Sequence, residues 1–209
     1  MNHPTEVLFW QRVDTPGLER LTLHTSAEGV CVESTILCAQ EGGFRLDHRW
    51  QLDTEWRSQC LEVQKWTTTR HTQLKIERQG YDWHIDGTLR TELEGAEDLD
   101  LSATPFSNTL PIRRMMAEQR SSLTFDACYV DVESMSVGRS RQRYERLGPA
   151  RFRYIDLGLF AGFMAELEVD PEGLIERYQH LFERVKKGPP APRGYDRYGS
   201  KASLSADFI

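Results

Sequence analysis

Residues 44–52 read Phe-Arg-Leu-Asp-His-Arg-Trp-Gln-Leu, so that Phe44, Leu46, His48, Trp50 and Leu52 alternate with Arg45, Asp47, Arg49 and Gln51. A β-strand sends successive side chains to opposite faces, and this period of two predicts a strand with one apolar and one charged face. The pattern spreads outward in both directions. Val30, Val32, Ile36 and Cys38 repeat it upstream, and Leu61/Val63, Leu74/Ile76 and Trp83/Ile85 give shorter versions downstream. Beyond the middle of the chain it returns in Leu123, Phe125, Ala127 and Tyr129, and again in Phe163, Ala165, Leu167 and Val169. Turn residues punctuate these runs at Pro16-Gly17, Glu28-Gly29, Gly42-Gly43, Gln79-Gly80 and Asp86-Gly87. Roughly ten or more strands on short turns predict antiparallel pairing of consecutive strands, because a parallel pair needs a long crossover for which there is no evident room. The expected fold is mainly β: one large antiparallel sheet, which must curl, close or split to cover its apolar face.

Two interruptions are expected. A short central connector, irregular or helical, is predicted near residues 103–116, where Thr104-Pro105 and Thr109-Leu110-Pro111 mark one or two turns. A C-terminal helical segment is predicted after Asp170-Pro171, with Leu174, Tyr178, Leu181, Phe182 and Val185 on one face and Lys186-Lys187 at its end. Gly173 to Tyr178 can also be read as extended. Residues 1–187 are expected to form one β-rich domain, and the Pro- and Gly-rich stretch 188–209 an extended C-terminal arm.

The chain has 209 residues, of which 39% are hydrophobic and 28% charged, and five are tryptophan. That composition supports a packed core and excludes intrinsic disorder. The longest uncharged apolar run, Leu157 to Ala165, is too short to cross a bilayer, so no transmembrane segment is expected. The N-terminal residues lack a basic region followed by a long apolar one, so the expected location is cytoplasmic. A net charge of −6 argues against a nucleic-acid partner. Cys31, Cys38, Cys60 and Cys128 form no CxxC pair, and neither a disulfide nor a metal site is expected. No nucleotide-binding loop or nucleophile elbow is present, which leaves no cofactor to predict.

Charge is unevenly distributed. Residues 139–153, RSRQRYERLGPARFR, hold six arginines and one glutamate, a local +5 that leaves −11 on the rest of the chain. Strand parity places Arg139, Arg141 and Arg143 on one face and Tyr144, Phe152 and Tyr154 on the other. An odd-length hairpin loop sets Tyr144 against Phe152, Arg143 against Arg153 and Glu145 against Arg151. The opposed arginines then either meet neighbouring carboxylates or mark an anion site. Asp47-His48 and His84-Ile85-Asp86 place histidine beside carboxylate, but neighbours on a strand face opposite ways. His48 shares the face of Leu46 and Trp50, as a bonded core group or as a polar handle inside a cavity.

The stretch from Gly95 to Met115 is the most distinctive. Asp98-Leu99-Asp100-Leu101 followed by Thr104-Pro-Phe-Ser-Asn-Thr-Leu-Pro-Ile-Arg-Arg114, with Gln142-Arg143-Tyr144, Phe152-Arg153-Tyr154 and Val169-Asp-Pro-Glu-Gly-Leu174 downstream, resembles a family of bacterial proteins described as glycolipid-binding. The resemblance implies that the curved sheet of residues 1–187 is a half barrel or open barrel similar to lipoprotein carriers, with an apolar hollow and a lipid or glycolipid ligand bound without catalysis. On that reading acyl chains lie on Phe44, Leu46 and Trp50, with His48, Phe106 and Asn108 nearby. Arg113, Arg114, Arg141, Arg143 and Arg153 meet an anionic or hydroxyl-rich head. Two other readings compete with it. One is an enzyme acting on a small anionic or sugar-containing substrate, with His48 or His84 as acid/base; the other is an interaction domain with a fully packed core.

Overall fold

The computed structural model describes residues 5–186. Six strands form the first meander: β1 (Thr5–Arg12), β2 (Gly17–Ser26), β3 (Gly29–Cys38), β4 (Phe44–Leu52), β5 (Ser58–Trp66) and β6 (His71–Gln79). The short β7 (Asp82–Ile85), β8 (Thr88–Leu89) and β9 (Asp98–Leu101) follow. A 3-10 turn, Pro105–Asn108, runs directly into the helix α1 (Thr109–Ala117). The second meander contains β10 (Ser122–Asp131), β11 (Ser136–Arg146), β12 (Arg151–Asp156), β13 (Met164–Val169), β14 (Ile175–Tyr178) and β15 (Phe182–Arg184).

All fifteen strands join one curved sheet whose two edges, β8 and β9, stay unpaired with each other. The two meanders meet where β1 pairs antiparallel with β15, Trp10 opposite Arg184. The alternation seen in residues 44–52 is the pleat of β4, with Leu46, His48, Trp50 and Leu52 buried inside and Arg45, Arg49 and Gln51 exposed. Inward-facing residues of every long strand merge into a single core that includes Trp10, Leu21, Val32, Leu61, Ile76, Trp83, Tyr144 and Phe152.

The expectation of consistently antiparallel pairing meets one exception. β9 pairs parallel with β10, Asp98 beside Ala127 and Leu101 beside Val130. The central connector is the crossover that makes this possible, because residues 102–121 return the chain from one end of the sheet to the other. They do so across the concave face. Thr104 caps the 3-10 turn by accepting the Phe106 N–H at 3.1 Å. Pro111 is tolerated in α1 because it lies in the first turn, where an amide has no helical acceptor.

The predicted C-terminal helix is corrected: residues 175–184 form β14 and β15. Asp170 Oδ1 accepts the N–H groups of Glu172 and Leu174 at 3.1 and 2.9 Å, closing a turn instead of capping a helix. Gly173 then takes φ +83°, which ends any helical path. The four-residue spacing of Leu174, Tyr178 and Phe182 comes from two short strands around a turn at 179–181. Their position explains the choice, since β14 and β15 cover what would otherwise be open edges on β13 and β1.

The β11–β12 hairpin has the expected parity but a register two residues away from the one predicted. Tyr144 lies opposite Tyr154 and Glu145 opposite Arg153, with Arg143 opposite Ile155. Leu147 and Gly148 both donate their N–H groups to the Arg151 carbonyl, which closes the turn one residue later than predicted. The shifted turn sets Glu145 opposite Arg153, where the predicted one would have opposed Arg143 to it. The predicted arm at 188–209 lies outside the described residues.

Candidate functional site

The crossover divides the interior of the half barrel, because Phe106 fills its middle. This side chain is fully buried, edge-on to Trp50 at 5.6 Å and tilted against Trp56 at 6.3 Å. Thr104 fastens the crossover to the sheet: its hydroxyl donates to Glu19 Oε1 at 3.0 Å. The same oxygen accepts Ser34 Oγ at 2.7 Å and lies 3.2 Å from His48 Nε2. His48 and Glu19 are therefore within hydrogen-bond reach, but both are sealed in the core. Leu46 and Trp50 are fully buried, and Trp50, packed against Phe106 of the crossover, donates its indole N–H to Ser58 Oγ at 3.1 Å. Among the candidates on this face, Phe44 alone reaches an open groove.

Space remains at the two ends. At the end formed by the β12–β13 and β14–β15 turns lies a hollow of about 260 Å³. Its walls are Tyr129, Tyr154, Phe160, Phe163, Tyr178 and Phe182, and Asp100, Asp156, Thr104 and Asn108 supply polar atoms. Tyr154 stands edge-on to Tyr144 and to Tyr178, at 5.3 and 6.4 Å, so the walls brace one another. A groove of about 220 Å³ adjoins it, sharing Ser102, Tyr129 and Phe160 and reaching Phe44, Lys65 and Arg12. Lys65 Nζ donates to the carbonyls of Val132 and Glu133 at 2.8 and 3.1 Å and sits over the Phe44 ring.

The two carboxylates of the hollow are held differently. Asp100 accepts the Ser107 hydroxyl at 2.9 Å and the Gln142 amide at 2.6 Å. Burial pushes its pKa up, and those two donors partly offset the rise. Asp156 Oδ1 accepts the N–H groups of Gly158 and Phe160 at 2.7 and 3.1 Å, and its Oδ2 accepts the Tyr154 hydroxyl at 3.0 Å. Burial likewise raises the phenol of Tyr129 to about 12, and that of Tyr154 further, so both are neutral hydroxyls at physiological pH. Asn108 Oδ1 accepts the Tyr144 hydroxyl at 2.8 Å, which fixes the amide at the hollow's inner wall.

The opposite end carries a larger, shallower cavity of about 640 Å³ among Trp56, Arg57, Asp98, Leu110, Arg113 and Arg114. The Arg113 guanidinium lies 3.8 Å from the Trp56 ring centre and donates to the Glu172 carbonyl. Arg114 bridges Glu97 and Asp98 at 3.0 and 3.2 Å. These two arginines are thus committed to protein partners on the far side of the crossover from the aromatic hollow.

The remaining arginines point away from the interior. Arg141 lies 3.5 Å from Asp126, Arg143 2.8 Å from Glu145, and Arg153 between Glu145 and Glu166 at 3.7 and 3.8 Å, all on the exposed face of the sheet. Of the eleven candidates read from sequence, Asn108 lines the hollow and Phe44 its adjoining groove; Leu46, His48, Trp50 and Phe106 are core. The hollow's own carboxylates, Asp100 and Asp156, are not among the eleven. For Asp100 a signal existed, since it stands in the distinctive 98–114 stretch on a strand of otherwise buried residues. His84, the other candidate acid/base, lies on β7, and its neighbour Asp86 accepts the Lys75 N–H at 2.9 Å in the following turn.

Residues 7–184 match the family model described as "Putative glycolipid-binding". The chain belongs to this family. Among solved structures, a DUF1089 family protein from Pseudomonas aeruginosa shares 27% identity with it, covering 80% of this chain and 92% of that one at a TM-score of 0.70. A β-barrel-like protein carrying the DUF1849 domain, from Brucella abortus, is 6% identical at a TM-score of 0.48, covering 87% and 95% of the two chains. No curated protein matches the chain. In this family member the crossover through the concave face of the sheet shapes the two end cavities. No helix among the described residues is long and apolar enough to cross a membrane.

Proposed function

We propose that the protein binds a glycolipid without chemically altering it, seating a neutral, hydroxyl-rich head group in the aromatic hollow. The observation that supports this is the combination, in one 260 Å³ space, of six aromatic walls with the carboxylates of Asp100 and Asp156. Apolar walls with a few convergent polar groups are the usual makeup of a small-molecule site. Carboxylates accept hydrogen bonds and repel anions, so the matching ligand brings hydroxyl donors and no negative charge. Each oxygen of Asp100 already holds one donor and retains a second lone pair, and a hydrogen bond to a charged acceptor contributes about 1.5–3 kcal/mol.

Size favours the head over the tail. The hollow falls just under the ~300–1,000 Å³ of typical ligand pockets and suits one sugar ring, not paired acyl chains. The acyl chains would run outward along Phe160 and the adjoining groove toward Phe44. This reverses the arrangement implied by lipoprotein carriers, and the buried crossover supports the reversal by filling the space acyl chains would need. The acid/base alternative finds less support, because the His48 side chain is fully enclosed.

The test is native mass spectrometry of the gently purified chain, solvent extraction of anything bound, and titration with short-chain neutral glycosides below their micellar concentration. Binding of the glycosides, weakened about tenfold or more by Asp100→Asn and Asp156→Asn, is the expected result. A clean apo mass together with no thermal shift across neutral glycolipids would refute the proposal.

A further inference from the structure

Five of the twelve exposed large hydrophobic side chains among the described residues fall within residues 157–164, at the hollow's rim. Between Asp156 and Glu166 the chain carries no charge, and Leu157, Leu159, Phe160 and Met164 are 44, 53, 54 and 59% exposed. This loop is built to stay out. Asp156 accepts two of its N–H groups through its side chain and that of Gly162 through its carbonyl, and Phe163 N–H closes a turn on Phe160. The Leu157 N–H is tied to the Arg141 carbonyl at 2.8 Å, and a Cβ on Gly158 would lie 2.5 Å from the Arg141 nitrogen. A loop so braced cannot fold its leucines back onto the core. A contiguous exposed apolar patch on a soluble domain marks a contact surface.

We infer that residues 157–164 dock the protein on an anionic lipid surface, with the arginine-rich outer face of β11 and β12 turned toward the lipid head groups. Charge complementarity selects this occupant. On the outer face of β11 and β12, with Arg139 and Arg141 next to the loop and Arg151 at the far end of β12, Arg139, Arg141, Arg143, Arg151 and Arg153 share only Asp126, Glu145 and Glu166, leaving two positive charges uncompensated in a chain of net charge −6. Glu41, Asp131 and Glu133 stand across the adjoining groove from Phe160 and set the tilt by staying in water. Two features unite in the docked state. Phe160 and Phe163 belong to both loop and hollow, so the mouth opens at the surface from which a lipid-anchored head would enter. The arginine cluster thereby has a role on the outside of the sheet, as an attraction to the bilayer.

Apolar insertion and attraction to anionic lipid add in interfacial binding. The experiment is co-sedimentation of the full chain with vesicles of phosphatidylglycerol and phosphatidylcholine, and with phosphatidylcholine alone. Binding is expected on the mixed vesicles, falling with salt and weaker on the neutral ones. Leu157→Asp with Leu159→Asp, at positions outside the hollow, is expected to weaken it about tenfold or more. Arg141→Glu with Arg143→Glu is expected to remove the preference for anionic vesicles. Soluble short-chain glycoside binding is unaffected by either pair, which separates this inference from the proposed ligand. Wild-type chain left in the supernatant, or the leucine variant pelleting like wild type while its melting temperature is unchanged, would overturn it. So would a dimer in sedimentation velocity that the leucine variant abolishes, since the loop would then meet a second copy.

Discussion

Phe106→Ala is the substitution that tests whether the crossover is part of the core. The side chain is wholly enclosed, so its removal forfeits about 1.5–3 kcal/mol of burial. The edge-on contact with Trp50 at 5.6 Å adds about 0.5–1.5 kcal/mol. The vacated space is poorly able to collapse, because Thr104 is held to Glu19 on one side and Asn108 to Tyr144 on the other. A cavity that persists puts the cost in the upper part of the range for such truncations, about 4–5 kcal/mol. For a domain of this size that corresponds to roughly 8–20 °C in melting temperature. Urea unfolding followed by tryptophan fluorescence reads the change directly, with Trp50 and Trp56 as neighbouring reporters. A loss below about 1 kcal/mol would refute the reasoning, for the crossover would then lie loosely on the sheet and the interior would be open to acyl chains.

Stability is also expected to depend on pH through the two aspartates of β9, Asp98 buried and Asp100 half-buried at the hollow. Burial raises the pKa of Asp98 and of Asp100 in the folded chain, so the folded state holds these protons more tightly than the unfolded one. Their contribution is complete below the ordinary carboxylate value of about 4 and is lost as pH rises through the raised values. Urea midpoints of Asp100→Asn measured against wild type are therefore expected to improve steadily from acidic to neutral pH; a difference constant with pH would contradict this. At Gly158 an added methyl meets the Arg141 backbone and Ser140, and Gly158→Ala is expected to cost about 1–3 kcal/mol. Hydrogen exchange would show the effect as faster exchange across 157–163, and unchanged protection there would count against a braced loop.

One large sheet was legible in the alternation of residues 44–52 and its repeats, because a period of two can satisfy only a sheet with one covered face. Turn glycines placed the breaks, and parity set Arg141 and Arg143 on the face opposite Tyr144, but only the packing of Tyr144 into the core turned those arginines outward. Distances beyond neighbouring strands were not legible. Residues 102–121 read locally as a stiff connector, and nothing in their prolines reveals that they cross the concave face and let β9 pair parallel to β10. That one path turned Leu46 and Trp50 from a lipid-lining surface into core and left a hollow where Asp100 meets Asp156, 56 positions later in the chain. Leu174, Tyr178 and Phe182 carry a helical spacing, yet the demand of two open edges for partners made them strands. Sequence determined which face of each strand is apolar, since side-chain chemistry is local; the packing of distant segments decided what covers that face and where space remains.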